Sequence, residues 1–261
     1  MSFLHGLFAG AGLTLLVGAA AGYFAYRRLG RLTERARQAE RLAELGTLTG
    51  GLAHEIKNPL STIQLNLQLI QEDLTPGHPA YSRLAGRIAV CEKETSRLRE
   101  ILDDFLRYAG RMELDRKPVE LNRLCEDLVD FMLPQAQVQK VKLRFKRTED
   151  DVIVSADERL VKQAVLNLMI NGLQAMPNGG EMILTVSRKG NEAAIDVIDT
   201  GPGIPPETLS KIFDAYYTTR KAGTGLGLAM TRRIAQEHGG RVLVTSEQGK
   251  GSDFSLRLPL R

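Results

Sequence analysis

The sequence predicts one membrane-spanning helix, an α-helical hairpin that pairs with a second copy as a four-helix bundle, and a two-layer α+β sandwich. Three observations predict this. An apolar stretch long enough to cross a bilayer opens the chain. Two runs then follow in which apolar residues recur every three or four positions, separated by a proline–glycine break. From about residue 118 onward, helical periodicity alternates with the period-two pattern of strands.

The first element occupies residues 1–26, where Phe3 to Tyr26 is apolar apart from His5 and Thr14. Arg27, Arg28, Arg31, Arg35, Arg37 and Arg41 follow at once in a linker over residues 27–44. This one-sided arginine excess orients the C-terminal side to the cytoplasm. A cleaved signal would carry a basic start instead. Gly6-x-x-x-Gly10 and Gly18-x-x-x-Gly22 have the spacing that packs two membrane helices together. A residue or two precede the span, so no sensor domain is expected beyond the membrane, nor between Arg27 and residue 45.

The hairpin is expected over residues 45–112. Leu52, Ile56, Leu60, Ile63, Leu67, Ile70 and Leu74 form one seam, Thr75-Pro-Gly-His-Pro79 breaks it, and Leu84, Ile88, Cys91, Thr95, Leu98, Leu102 and Phe105 form the other. Two helices leave such a seam open, and a second hairpin closes it. His54 falls between Leu52 and Ile56, opposite the seam, and faces outward. Pro59 lacks an N–H and should bend the helix just beyond it.

Residues 113–261 are expected to form the sandwich. Leu121–Gln135, Glu158–Ala175 and Leu226–His238 read as helices. Val141–Phe145, Val152–Val154, Ile183–Ser187, Ala194–Ile198, Val242–Ser246 and Phe254–Leu258 read as strands, with the helices on one sheet face.

Five clusters carry chemistry. His54-Glu55-x-x-Asn58 puts an imidazole and an amide one above the other on a helix, with a carboxylate alongside. Neutral imidazole near pH 7 is a competent phosphoryl acceptor, and an adjacent acid can hold one ring nitrogen protonated while the other attacks. Asn167 and Asn171 are poor helix formers on an apolar helix, and their amide oxygens suit a Mg²⁺ ion held mainly by phosphates. Asp199-Thr-Gly201-Pro-Gly203 ends a strand with a carboxylate able to accept from an exocyclic amine. Gly223-Thr224-Gly225-Leu226-Gly227-Leu228 opens a helix and turns backbone N–H groups toward an anion. Gly249-Lys-Gly-Ser252 is the last cluster. Each glycine cluster alone fits an ordinary turn, and paired asparagines alone fit backbone capping. Their order behind the histidine box is what selects the chemical reading.

Other nucleotide signatures are absent. Val244 stands where a phosphate-loop glycine would have to be, and Leu228 breaks a dinucleotide fingerprint. The modest net charge of +4, with no basic stripe of interleaved aromatics, argues against direct nucleic-acid binding. Cys91 and Cys125 lack metal-ligand spacing and read as reduced, buried cysteines.

This set of motifs resembles the bacterial two-component sensor histidine kinases over about residues 45–259. His54, Glu55 and Asn58 match that family's H box, Asn167 and Asn171 its N box, Asp199, Gly201 and Gly203 its G1 box, and Gly223–Gly227 its G2 box. Phe213-Asp-Ala-Tyr-Tyr217-Thr218-Thr-Arg220 resembles the F box. The resemblance implies the ATPase fold shared with gyrase, the Hsp90 chaperone and MutL, with a mobile lid near Pro205–Thr224. It implies ATP and Mg²⁺ as ligands. Asp199 would take the adenine and Asn171 the metal, with Tyr217, Thr218, Arg220, Lys221, Thr224, Leu226, Leu228 and Ser252 around the nucleotide. It further implies transfer to His54 and on to a response regulator aspartate, a homodimer, and single-pass residence in the inner membrane with the catalytic region cytoplasmic. Asn58 is the position that, in bifunctional members, places a water to dephosphorylate the regulator. A catalytically silent ATP-binding scaffold and a gyrase-type ATPase are the competing classes. The intact His54, Glu55, Asn171 and Asp199 weigh against the first, and the hairpin against the second.

The sequence departs from its relatives where many carry a lysine, at Gln174, and in the F box, where Ala215 replaces proline and Arg220 the usual lysine. These variants lean toward the nitrogen-regulation branch. The linker carries a further irregularity. Leu29, Leu32, Ala36 and Ala39 set a register that would continue to Ala43 and Gly46, yet the hairpin uses Leu42 and Leu45. Such a slip overwinds a coiled coil locally, and two packings of similar energy can then exchange. Residues inserted one at a time after Arg41 should change the kinase-to-phosphatase ratio with helical phase, and a flat response would leave the linker a passive tether.

Overall fold

Apolar spacing accounts for the helices, and Glu120 and Asp157 cap the starts of two of them. The computed structural model describes residues 52, 56–70, 81–110, 112–220 and 223–260. The expected membrane span, the linker, His54, Glu55, the Thr75–Pro79 break and Lys221 fall outside these described residues. Two compact units divide the chain, Met1–Ala53 and His54–Arg261, and apart from Leu52 the described residues belong to the second. Among the described residues, no helix is long and apolar enough to cross a membrane.

The hairpin consists of α1 (residues 56–70) and α2 (Tyr81–Ala109). The Cys91 thiol of α2 lies 3.8 Å from the Ile63 carbonyl of α1, so the two seams meet where the spacing placed them. An open groove of about 560 Å³ runs between them, lined by Leu67, Ile70, Ile88, Cys91, Glu92, Thr95 and Ser96. Leu60, Leu67, Ile88 and Leu102 remain about half exposed along the seam. Cys91 is half-buried rather than buried, because its side of the seam stays open.

The second part holds β1 (Lys117–Glu120), α3 (Leu121–Val138), β2 (Val141–Lys146), β3 (Ile153–Ala156), α4 (Glu158–Ala175), β4 (Gly180–Lys189), β5 (Glu192–Asp199), α5 (Pro206–Leu209), α6 (Gly227–Glu237), β6 (Arg241–Glu247) and β7 (Gly251–Pro259). A five-stranded sheet runs β2-β4-β5-β7-β6, parallel at β2–β4 and antiparallel elsewhere, while β1 and β3 pair separately. Helices α3, α4 and α6 contact the sheet and one another. The core face carries Leu184, Val186, Ile195, Val197, Leu256 and Leu258, all nearly inaccessible. The opposite face is polar: Lys189 (3.3 Å), Thr185 (3.4 Å) and Ser255 all donate to the buried carboxylate of Asp196.

Two differences from the sequence reading have physical causes. Helix α3 passes through Pro134 to Val138 instead of stopping at Gln135, because Met132 and Ala136 are both buried one turn apart while Pro134 is exposed. Strand β1 has no signal in the sequence, and its four residues gain their ladder only from β3.

The segment joining hairpin to sandwich is tied down through a buried histidine. Asp157 caps α4, its Oδ1 accepting from Leu160 N–H at 3.2 Å while its Oδ2 accepts from Asp115 N–H at 3.2 Å. The Asp157 N–H donates to His238 Nε2 at 3.0 Å, and His238 Nδ1 lies 2.8 Å from the Ile234 carbonyl. This network assigns the ring proton to Nδ1. Arg116 adds a bond to the Glu237 carbonyl at 2.8 Å.

Burial lowers the His238 pKa below its ordinary 6.5. The unfolded state therefore binds more protons below pH 6.5, so this contribution to stability is complete above 6.5 and declines as pH falls toward the folded value. His238→Ala should cost about 1–3 kcal/mol, the penalty of leaving a buried N–H unmet. It should also flatten the loss of stability between pH 7 and pH 5, as read by urea unfolding at each pH. Equal pH dependence in variant and parent would show that the ring does not govern it.

Candidate functional site

The five-stranded sheet delivers one carboxylate to the place where α4, α6 and the lid converge. Asp199 ends β5, is 5% exposed, and faces Ser252 in the β5–β7 register. Burial raises its pKa, countered by the backbone N–H groups of Gly201 and Ser252 and by the charge of Arg220. The Gly201 N–H lies 2.8 Å from Asp199 Oδ1, so the turn after β5 folds back onto the carboxylate it presents. Gly251 backs the same residue. At φ +109°, a Cβ there would stand 1.9 Å from the Asp199 carbonyl oxygen. No side chain fits that approach.

The Asp199–Gly203 turn is locked to the last cluster by hydroxyls. Ser246 Oγ donates to the Gly251 carbonyl at 2.9 Å, accepts from Ile204 N–H at 2.8 Å and lies 3.0 Å from Ser252 Oγ. Gly249 N–H donates to the Pro202 carbonyl at 2.7 Å.

Helix α4 lines the other side. Asn171 and Gln174 lie one turn apart on it, and both face the lid. Asn167 has a different task from Asn171. Its amide donates to the Gly227 carbonyl at 3.1 Å, and Thr231 Oγ1 donates to the same oxygen at 2.9 Å, which fastens the start of α6 to α4. Helix α6 begins at Gly227 after Leu226, and no side chain caps its N-terminus. That leaves the Gly223–Gly227 turn and the first amides of α6 as the place for an anion. Leu226 itself is buried, and Leu228 is half-buried.

The lid is anchored at its base. Phe213 meets Phe254 edge-on at 6.5 Å between ring centroids. Tyr216 adopts φ +63°, an uncommon conformation for a non-glycine residue, and Gly225 packs so closely that a Cβ would lie 2.6 Å from the Tyr216 carbonyl carbon. Tyr217 N–H donates to the Asp214 carbonyl at 3.2 Å, and Thr218 Oγ1 accepts from Arg220 N–H at 3.1 Å. The Arg220 guanidinium reaches Asn171 and Gln174, and burial lowers its pKa against the opposing pull of Asp199.

Two contacts had no signal in the sequence. Thr224 Oγ1 donates to Asp104 Oδ2 of α2 at 3.0 Å. Arg233 of α6 donates to the Gly110 carbonyl at 2.7 Å and stands 5.6 Å from the Tyr108 ring centroid. Asn58 is exposed on α1. The described residues hold no group of three His, Cys, Asp or Glu side chains that would bind a metal by themselves.

Two family models match the chain. Residues 44–111 match the His Kinase A (phospho-acceptor) domain, and residues 156–261 match the histidine kinase-, DNA gyrase B- and HSP90-like ATPase. The chain belongs to the sensor histidine kinases of two-component systems. The sensor histidine kinase ZraS of Escherichia coli K12 is 36% identical over 251 residues, 95% of this chain and 53% of ZraS. The chain thus spans about half the length of the curated relatives of this kind. Among solved structures, histidine kinase ThkA in complex with response regulator TrrA is 27% identical, with a TM-score of 0.73, covering 88% of this chain and 66% of that one. Full-length ShkA in complex with AMPPNP is 28% identical with a TM-score of 0.60, covering 80% and 44%.

The floor beneath Asp199 has no slack. Gly251→Ala combines a clash with the Asp199 carbonyl and a left-handed backbone, and should destabilise the chain by more than about 1 kcal/mol. Thermal unfolding checks the cost. Unchanged stability together with unchanged binding of a fluorescent ATP analogue would show that Gly251 does not hold Asp199 in place.

Proposed function

We propose that the chain binds ATP between α4, α6 and the lid, phosphorylates its own His54, and passes the phosphoryl group to an aspartate of a response regulator. The observation that carries this is the convergence on one site of a buried carboxylate, an α4 amide, a glycine turn at an uncapped helix start and a lid cation. ThkA, solved with a response regulator, and ShkA, solved with a non-hydrolysable ATP analogue, support the partner and the ligand class.

Each residue has a stated task. Asp199 accepts from the adenine amine, which its ionised form does and its protonated form does poorly. Asn171 is the metal ligand. Its amide oxygen already accepts from the Arg220 cation at 3.2 Å, and one neutral hard oxygen suits a Mg²⁺ held chiefly by phosphates. A Mg²⁺ ion held there would supply positive charge against the negative charge that develops on the phosphates during transfer. The Gly223–Gly227 amides bind the polyphosphate, and Tyr217, Thr218, Lys221, Thr224 and Ser252 complete the surroundings. Glu55 holds one nitrogen of His54 protonated, so that the other attacks in line. Asn58, exposed four residues on, positions the water that dephosphorylates the regulator.

The half-exposed seam of Leu60, Leu67, Ile88 and Leu102 supports a homodimer through the hairpin. The apolar residues 3–26 and the arginines behind them support residence in the inner membrane, with the catalytic region cytoplasmic. Over the boundaries, residues 45–112 serve as acceptor and dimer domain and residues 113–261 as ATP-binding domain.

With γ-labelled ATP, His54→Gln should abolish acid-labile labelling while nucleotide binding persists. Asp199→Asn should lose both. Label remaining on the His54 variant would refute the acceptor assignment, and wild-type affinity in Asp199→Asn would refute the pocket.

A further inference from the structure

Gln174 occupies a position where the family's many lysine-bearing members place a cation, and its surroundings explain why a neutral amide suffices. Arg220 comes down from the lid so that Nη1 donates to Gln174 Oε1 and to Asn171 Oδ1 (3.2 Å), and Nη2 donates to the Asn171 backbone carbonyl at 2.9 Å. Three acceptors on one turn of α4 fix both the position and the plane of this guanidinium. Among the described residues these contacts use three of its five N–H donors, and a guanidinium so held presents the rest in a rigid fork suited to phosphate oxygens. Its site is half-buried, which strengthens its attraction for an anion compared with a fully solvated charge. A lysine in place of Gln174 would put a second cation against the first. Gln174 instead offers an acceptor, so the positive charge comes from the lid and α4 supplies the clamp.

We propose that Gln174 is a positioning residue that clamps the Arg220 guanidinium over Asn171, and that this clamped cation, carried by the lid, makes the site select a nucleoside triphosphate over the bare nucleoside. The proposal rests on the reading that this site binds ATP. The clamp also couples the lid to α4: Arg220 follows Thr218 and Tyr217, whose backbone is fixed at the lid base, so a polyphosphate that engages Arg220 engages the lid with it. The Asn171 amide oxygen accepts from this cation and is the same oxygen that would hold the metal.

Competition of ATP and of adenosine against a fluorescent ATP analogue tests this, using the full chain and the variants Gln174→Ala, Arg220→Ala, their double variant, and Arg220→Ala combined with Gln174→Lys. Gln174→Ala should weaken ATP about tenfold, the worth of one charge-assisted hydrogen bond, and leave adenosine unchanged. The double variant should be no weaker than Arg220→Ala alone, since the clamp has no purpose once the cation is gone. Gln174→Lys in the Arg220→Ala background should recover most of the ATP affinity, because Gln174 Oε1 and Arg220 Nη1 meet at one point. The proposal is overturned if the two single losses multiply, if Gln174→Ala weakens ATP and adenosine alike, or if Gln174→Lys gives no recovery in that background. Absence of ATP binding in the parent chain would refute the ATP reading itself. ATP binding in the parent, weakened in Arg220→Ala but unaffected in Gln174→Ala, would refute only the clamp.

Discussion

A carboxylate withdrawn from water is costly unless its oxygens are met, and the ATP-binding half of this chain is arranged around meeting those of Asp199. The β5–β7 register sets Ser252 opposite it, the turn after β5 folds the Gly201 N–H onto it, and Gly251 lets β7 come against its carbonyl. The hydroxyls of Ser246 and Ser252 then bind that turn to the β6–β7 end of the sheet. Moving any of these elements would leave a buried charge underbonded, so the position of the carboxylate and the geometry of three loops are one constraint.

The second side of the site depends on how α6 is held. Asn167 and Thr231 share the Gly227 carbonyl, so the end of the glycine run and the start of α6 are fixed to α4 rather than left to a free loop. Asn171 and Gln174, on the same helix, face the Arg220 of the lid. Paired asparagines on an apolar helix thus serve two ends: one residue fastens α6 to α4, and its neighbour a turn later meets the Arg220 guanidinium. This division explains why a helix with poor intrinsic formers at both positions is retained.

The joint between the hairpin and the sheet domain is a chain of polar contacts. Asp115, Asp157 and His238 link the segment before β1, the start of α4 and the end of α6. Farther along, Thr224 meets Asp104 and Arg233 meets Gly110 and Tyr108, so α2 touches the Gly223–Gly227 turn and the helix behind it. Contacts of this kind allow the acceptor hairpin and the nucleotide site to be energetically coupled through α2.

The sequence by itself determined the helical seams, the three long helices of the sandwich and the motifs that mark the family, because periodicity and short motifs are local properties. Leu67, Ile88 and Cys91 meet at the groove that their spacing implied, and Asp199 stands at the end of a strand as its pattern required. It did not reveal β1, whose four residues are a strand only through β3, nor the last residues of α3 that burial of Ala136 draws past Gln135. It left the strand order and the parallel β2–β4 pair undecided, since pairing depends on partners far along the chain. The separate tasks of Asn167 and Asn171, the buried His238, and the Arg220–Gln174–Asn171 contact were decided by tertiary structure alone. Each is a hydrogen bond between residues dozens of positions apart, and no local pattern encodes which distant donor will face a given acceptor.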